Sequence, residues 1–243
     1  MKARLIGTSA LVLLLAGCSS IEKHLTDPSY YGPFRTNYNS GGAPSEVLKE
    51  IQRVAVLPTA PPEIGSLATG MQAAKIVQES LLEEIRSAGV FEAVKPSTGT
   101  LRPLEGPDSL RVTDAIPPQL LKVIQLQTDS DAVLFSSVTS YQPYPPLLIG
   151  LKVSLVRIED GVILWQIDDT WNAGDAPTLN DARRFFRQKL GVETDPPPSP
   201  SMGSPSRFAR YAASVVVRMY QKAKSAKDST PEEASVKNPE KKP

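Results

Sequence analysis

The chain has 243 residues, and its 27 lysines and arginines nearly balance 26 aspartates and glutamates, which leaves a formal net charge of +1. A charge balance this close to even excludes the strongly basic surface that nucleic-acid binding requires. The sequence contains one histidine and one cysteine, too few for a metal site of the usual His or Cys type. A Ser-His-Asp triad would have to use His24, close to the amino terminus. We therefore expect no metal, no cofactor and no enzymatic activity.

Residues 1–17 are typical of a bacterial signal peptide. Lys2 and Arg4 supply the positive start, and the apolar run Leu5–Leu15 is shorter than the roughly 20 residues that a spanning helix needs. The segment closes with Leu-Ala-Gly-Cys18, which resembles the bacterial lipobox. This resemblance implies a diacylglyceryl thioether on Cys18 and cleavage before it. We prefer this interpretation to a signal peptide without lipid or a short membrane anchor.

Cys18 also predicts where the protein works. As the only cysteine it cannot form an internal disulfide, and two or more acyl chains hold a protein firmly on a bilayer. In the sorting rule of enterobacterial lipoproteins, Asp after the cysteine retains the protein in the inner membrane, whereas this chain has Ser19. We therefore expect a protein that is lipid-anchored to the outer membrane and faces the periplasm.

Residues 18–50 are predicted to form a tether between the lipid and the folded body. They are rich in Ser, Thr, Asn, Gly and Pro, and Gly41-Gly42-Ala43-Pro44 is a cluster of helix and strand breakers. Four aromatic residues are unusual in such a segment: Tyr30, Tyr31, Phe34 and Tyr38. Either contact with the lipid interface or packing against the folded body would explain them, and packing is the preferred interpretation.

A single domain is predicted over residues 51–224, opening with a strand at Arg53–Pro58 that Pro58 ends. Apolar residues then recur at three- and four-residue steps, which predicts an amphipathic helix from Leu67 that ends at Gly89 in a left-handed cap. The predicted inner face consists of Leu67, Met71, Ala74, Val77, Leu81 and Ile85, and the outer face of Glu79, Glu83, Glu84 and Arg86.

A short strand over 90–94 and a polar loop over 96–113 lead to a second predicted helix, Ile116–Gln127, with Leu120, Val123, Ile124 and Gln127 on one face. Residues 131–141 are rich in strand formers. Apolar and polar residues then alternate over 147–158 and 162–171 around Asp160-Gly161, which predicts an antiparallel hairpin with one buried face. The residues assigned to that face in its second strand are Ile163, Trp165, Ile167 and Trp171.

Two more helices are predicted, one from 175 or 176 to about 190 and one after the Ser204-Pro205 start signal. Basic residues on the last helix would suit anionic lipid, but its broad apolar face favours docking on the sheet. The tail, residues 225–243, is predicted to be disordered. These elements predict an α/β (α+β) single domain with a mixed five-stranded sheet, helices packed on it and a C-terminal antiparallel hairpin.

Several motifs together resemble one family. They are Arg53-Val-Ala-Val-Leu-Pro58 with the helix after it, the Asp131–Val138 strand, and the hairpin that closes on Gly161-Val-Ile-Leu-Trp165. In this order, behind a lipobox, they resemble the CsgG-like group of envelope lipoproteins, which includes LpoB-like, PelC-like and TolB N-terminal-like domains. Ser136 or Ser137 stands where glycine is common in the group.

The resemblance implies a non-enzymatic assembly or accessory factor in secretion or surface export. Such a factor would contact envelope proteins of the export or cell-wall machinery, and PelC-like relatives suggest a homo-oligomeric ring. The LpoB-like relatives imply an alternative, in which the chain activates a peptidoglycan synthase through direct protein contact.

Two local features have chemical interest. Asp168 and Asp169 are adjacent on a predicted strand, so they should point to opposite faces and cannot form a catalytic pair. In Tyr141-Gln142-Pro143-Tyr144-Pro145-Pro146, tyrosines alternate with prolines. Tyr141, Tyr144, Pro145 and Pro146 are a candidate protein interface, because tyrosine adds contact area at low entropic cost. A stiff connection whose tyrosines pack on the local core is the simpler interpretation.

Overall fold

The computed structural model describes residues 32–97, 118–190 and 203–226. Within these ranges the chain forms six strands and five helices. The strands are β1 Ser40–Gly42, β2 Arg53–Val56, β3 Glu92–Val94, β4 Ala132–Gln142, β5 Leu148–Arg157 and β6 Ile163–Asn172. The helices are α1 Ser45–Glu50, α2 Leu67–Ala88, α3 Pro118–Thr128, α4 Ala176–Leu190 and α5 Pro205–Ser225. The predicted single-domain α+β class is confirmed.

All six strands belong to one mixed sheet, in the order β1-β6-β5-β4-β2-β3. β2 pairs in parallel with β3 and β4, whereas β4, β5, β6 and β1 pair antiparallel in turn. The prediction of five strands was therefore one short, because it missed β1. The strand carries no side-chain pattern, and Gly42 approaches β6 so closely that a Cβ there would lie 2.5 Å from the Leu164 carbonyl oxygen.

Ordered structure begins before Arg53, inside the segment predicted to be a tether. β1 pairs with β6, and α1 follows it, with Leu48 fully buried. The hydroxyl of Tyr220 in α5 donates to the Leu48 carbonyl at 3.5 Å. Tyr38 packs against the main core, as the preferred interpretation of the aromatic residues requires. Tyr30 and Tyr31 lie outside the described residues.

The two faces of the sheet are covered unequally. The larger core joins alternate side chains of β4, β5 and β6 to α2, α5 and part of α4. A smaller core lies on the other face, where Leu121 and Ile124 of α3 pack against Val133 and Phe135 of β4. Tyr211 and Val215 of α5 are fully buried, so this helix docks on the body, as its broad apolar face predicted.

Three predicted helix and strand faces were wrong in part. Leu67 and Met71 at the start of α2 are exposed, because Gly70, not its neighbours, faces Pro62 there. In α3, Val123 is exposed and Leu121 takes its place in the core. Ile163 is also exposed, since a register shift between Leu155 and Val156 breaks the alternation at the end of the hairpin.

Candidate functional site

Five side chains fasten the segment that precedes β1 to the edge of the sheet. We call them the N-terminal clasp: Arg35, Tyr38, Asp169, Asp181 and Arg218. The first two belong to the segment, whereas Asp169 lies on β6, Asp181 on α4 and Arg218 on α5. The clasp therefore connects the segment that follows Cys18 to three elements of the folded body.

Asp181 is the centre of the clasp. Its nearly buried Oδ2 atom accepts hydrogen bonds from the hydroxyl of Tyr211 at 3.0 Å, the hydroxyl of Tyr38 at 3.2 Å and Nη2 of Arg218 at 2.9 Å. A buried carboxylate costs free energy unless it is both hydrogen-bonded and paired with a cation. Three donors meet that requirement, one from the segment before β1 and two from α5.

The two tyrosines of this cluster are held in their neutral form. Burial, followed by the negative charge of Asp181, raises the pKa of Tyr38 from 10.0 to about 12. Burial is also the largest cause of the raised pKa of Tyr211, again with Asp181 next. Both phenols therefore keep their protons at neutral pH and can donate them to the Asp181 carboxylate.

Arg35 forms the outer part of the clasp. Its guanidinium donates to the Asp169 carboxylate and, at 2.6 Å, to the carbonyl oxygen of Thr170. It also lies 5.1 Å from the centre of the Tyr38 ring, within cation–π range. The backbone N–H of Asn39 donates to the same carboxylate at 3.2 Å. Each carboxylate oxygen of Asp169 thus binds one group of the segment.

The strand register confirms that Asp168 and Asp169 point to opposite faces. Asp169 stands opposite the core residue Leu151, and Asp168 stands opposite Lys152. The Lys152 Nζ atom lies 3.9 Å from the Asp168 carboxylate on the more exposed face. The two carboxylates therefore lie on opposite faces of the sheet and cannot act on one group together.

A second buried carboxylate, Glu84 of α2, connects three helices. Its side chain is only 2% exposed. Oε2 accepts from Lys189 of α4 at 2.9 Å, and Oε1 accepts from Nε of Arg210 of α5 at 3.0 Å. Arg210 also pairs with Glu83 at 2.9 Å. The sequence placed Glu84 on the outer face, and this was wrong because its cationic partners come from helices more than a hundred residues later.

The Tyr141–Pro146 loop joins β4 to β5. Tyr144 is 75% exposed, whereas Tyr141 is half-buried against the core, and burial raises its pKa. The side-chain amide of Gln142 donates to the carbonyl oxygens of Tyr144 at 3.2 Å and Pro146 at 2.8 Å. Pro145 and Pro146 are exposed and joined by a cis peptide bond. Of the two tyrosines, only Tyr144 is presented outward.

Exposed apolar side chains form two further groups. Ile64, Leu67 and Met71 lie around the start of α2, and we call them the α2 patch. Leu126, Val162 and Ile163 lie at the end of α3 and at the turn between β5 and β6. The helical periodicity of α2 hid the first group, because it assigned Leu67 and Met71 to the core.

The lipidation candidate Cys18 and the lone His24 lie outside the described residues. Among residues 32–97, 118–190 and 203–226, no group of three His, Cys, Asp or Glu side chains could hold a metal ion. None of the helices in these ranges combines the length and the apolarity that a bilayer crossing requires. Of the clasp residues, the sequence singled out Tyr38, for its unusual place in a polar segment, Asp169, and Arg218 among the basic residues of the last helix. Arg218 binds Asp181.

The fold and the clasp define a single-domain α+β protein whose amino-terminal segment is fastened to its sheet. No family model matches the sequence, and no curated protein matches it either. A solved structure of the PelC dodecamer from Paraburkholderia phytofirmans, in a form with one substitution, is similar with 14% identity and a TM-score of 0.44 over 76% of this chain and 98% of that one.

Two other solved structures are similar at a comparable level. Lipoprotein GNA1162 from Neisseria meningitidis matches with 20% identity and a TM-score of 0.36, over 49% of this chain and 79% of that one. The LpoB C-terminal domain from Escherichia coli matches with 16% identity and a TM-score of 0.35, over 53% and 94%. PelC and LpoB were both named by the motif resemblance, but values this low transfer no activity to the present chain.

Proposed function

We propose that this protein is an outer-membrane lipoprotein, anchored through Cys18 on the periplasmic side, and that it is a non-enzymatic assembly or accessory factor in secretion or surface export. The N-terminal clasp is the observation that carries the proposal. A segment that only linked a body to lipid would need no buried partners, yet Arg35 and Tyr38 bind Asp169 and Asp181. The chain that leads from the proposed anchor is thus fixed to the body at Pro33, Arg35 and Tyr38, which suits a protein that presents a surface from a membrane.

The buried and half-buried acids support a non-enzymatic role. Asp169, Asp181 and Glu84 each accept hydrogen bonds from at least two donors within the fold. A general acid or base must instead reach the proton of a substrate. These three carboxylates are therefore engaged in holding elements together.

The lipid anchor is tested by Cys18→Ser. The wild-type chain, expressed in bacteria fed a fatty-acid probe, should take up label, and Cys18→Ser should take up none. Ser20→Ala is the matched control and should be labelled like the wild type. Label that persists in Cys18→Ser would refute lipidation at this residue.

The form of the scaffold is proposed to be a homo-oligomeric ring, as the PelC-like resemblance implies. Light scattering coupled to size-exclusion chromatography should give a mass of several chains, first for the form lacking lipid and then for the lipidated form in detergent. A monomer in both forms would refute the ring.

A second candidate function is the activation of a peptidoglycan synthase by direct contact. The exposed Tyr144 on a loop braced by Gln142 favours a protein contact at Tyr141, Tyr144, Pro145 and Pro146. A photo-crosslinking residue in place of Tyr144 should capture an envelope protein in living cells, and one in place of the exposed Lys122 is the control. A peptidoglycan synthase among the crosslinked proteins favours this candidate, whereas export components favour the first. Equal crosslinking yields at positions 144 and 122 argue against the interface.

A further inference from the structure

The direction of the strands puts three features at one edge of the sheet. β2, β4 and β6 run in the same direction, because β2 and β4 are parallel and β5 is antiparallel to both β4 and β6. Their carboxyl ends therefore share one edge, which we call the carboxyl edge. The loop from β2 to α2 and the Tyr141–Pro146 loop both leave the sheet there.

The segment from the lipidation site reaches the body at the same edge. Asn180, near the start of α4, donates to the Pro33 carbonyl oxygen at 3.2 Å. Arg35 binds Asp169 and Thr170 close to the carboxyl end of β6. The chain that comes from Cys18 is thus fixed to the carboxyl edge before it turns into β1.

The α2 patch extends the carboxyl edge with apolar surface. Ile64, in the loop after β2, is 91% exposed, and Leu67 and Met71 follow it on one side of the first turns of α2. Strands lie about 4.8 Å apart, so β2 and β6, which are separated by β5 and β4, are roughly 15 Å apart. The carboxyl end of β2, from which the loop to the patch leaves the sheet, therefore lies about that far from the point where the anchored segment arrives.

Exposure alone does not select this patch, because the opposite edge is also apolar. Leu126 at the end of α3 is 80% exposed, and Val162 and Ile163 lie at the turn between β5 and β6. The length of the linker makes the difference. Only residues 19–31 separate Cys18 from Gly32, a path of at most about 48 Å when fully extended. To place Leu126 on the bilayer, the linker would have to run back over a distance comparable to the length of β4, roughly 36 Å, which uses most of that reach. The carboxyl end of β2, where the loop to the α2 patch begins, is only about 15 Å away.

We infer that the α2 patch rests in the headgroup layer of the bilayer that holds Cys18, so that the carboxyl edge faces the membrane and the opposite edge faces away. This inference rests on the proposed lipidation of Cys18. Apolar side chains that lie about 5–10 Å into the interface add to the binding that the acyl chains supply. The Tyr141–Pro146 loop lies at the same edge, so a protein that binds this loop would meet it at the bilayer surface.

The test measures the depth of single positions in the full lipidated chain. Cys18 is the only cysteine, and a thioether there cannot react with a thiol reagent. Ile64→Cys and, as the matched control, Leu126→Cys therefore each offer one site for an environment-sensitive fluorophore. Both proteins are reconstituted in vesicles of phosphatidylethanolamine and phosphatidylglycerol that contain a lipid with a quencher on its acyl chain.

We expect lipid-dependent quenching of the fluorophore at position 64 and little quenching at position 126. Equal quenching at both positions, or none at position 64, overturns the inference. A blue-shifted fluorophore at position 64 that the lipid does not quench also overturns it, because a second protein copy or a partner then covers the patch. The chain without an added cysteine separates the two proposals. If it reacts with the thiol-specific fluorophore, Cys18 carries no lipid and the anchor itself is refuted. If it does not react, and the fluorophore at position 64 is not quenched by the lipid, only the orientation is refuted.

Discussion

The clusters around Asp181 and Glu84 are both buried carboxylates shared by three segments, but their donors differ. Glu84 is bound by Lys189 and Arg210, and Lys189 keeps 42% of its side chain exposed. Asp181 is bound by Tyr211, which is fully buried, as well as by Tyr38 and Arg218. A cation at the surface recovers water when its partner is removed, whereas a buried hydroxyl does not. The number of ion pairs is therefore a poor guide to which cluster matters more for stability.

Asp181→Ala should have the largest effect. It leaves the Tyr211 hydroxyl buried without its acceptor and removes the charge that pairs with Arg218. We expect the free energy of unfolding, measured by urea denaturation, to fall by roughly 3 kcal/mol. Asp168→Ala, in a more exposed pair with Lys152, is the control and should change it by less than about 0.5 kcal/mol. Equal losses in the two variants would show that the buried Tyr211 hydroxyl does not set the cost of removing its acceptor.

Glu84→Ala should be milder, although Glu84 is the more deeply buried acid. Lys189 can turn to solvent, and Arg210 retains Glu83, so we expect a loss of about 1.5 kcal/mol in the same measurement. Glu83→Ala is the matched control at the adjacent, exposed position. A loss larger than that of Asp181→Ala would show that burial of the acid, rather than of its donors, sets the cost.

Tyr38→Phe should act locally. It removes one hydrogen bond to Asp181 and keeps the ring against the core and near Arg35, so the expected loss is about 1 kcal/mol. Hydrogen exchange should accelerate in residues 32–42 and stay unchanged in α2. Lys49→Ala, which removes contacts with Ser45 and Glu46 inside α1, should leave both regions unchanged. Uniform acceleration across the chain would contradict a local clasp.

The smallest effect concerns alkaline pH. The pKa values of Tyr38 and Tyr220 are raised to about 12, so the folded state retains protons that the unfolded chain loses near pH 10. Stability should therefore be constant just below pH 10 and should fall from pH 10 to about pH 12. Thermal melts should show a shallower fall for Tyr38→Phe, with Tyr220 and Tyr211 carrying the remainder, and an unaltered fall for Glu83→Ala. An equally steep fall in Tyr38→Phe would refute the contribution of the clasp.

Local patterns in the sequence predicted much of the fold but little of the clasp. Periodicity located α2 and α5, and alternation placed Asp168 and Asp169 on opposite faces. β1 was missed because Gly41 and Gly42 have no side chains to alternate. The burial of Glu84 and Asp181 was missed because their partners are remote: Lys189 lies 105 residues from Glu84, and Tyr38 lies 143 residues from Asp181. A pattern within one helix cannot report such pairings.

The order of attachments along the amino-terminal segment has a mechanical consequence. A pull on the chain ahead of Pro33 reaches Pro33 first, then Arg35, then Tyr38, and only afterwards the pairing between β1 and β6. The contacts therefore bear the force one after another, and not all at once. Each contact that breaks adds a few residues to the extended chain, while the pairing of β1 with β6 stays intact.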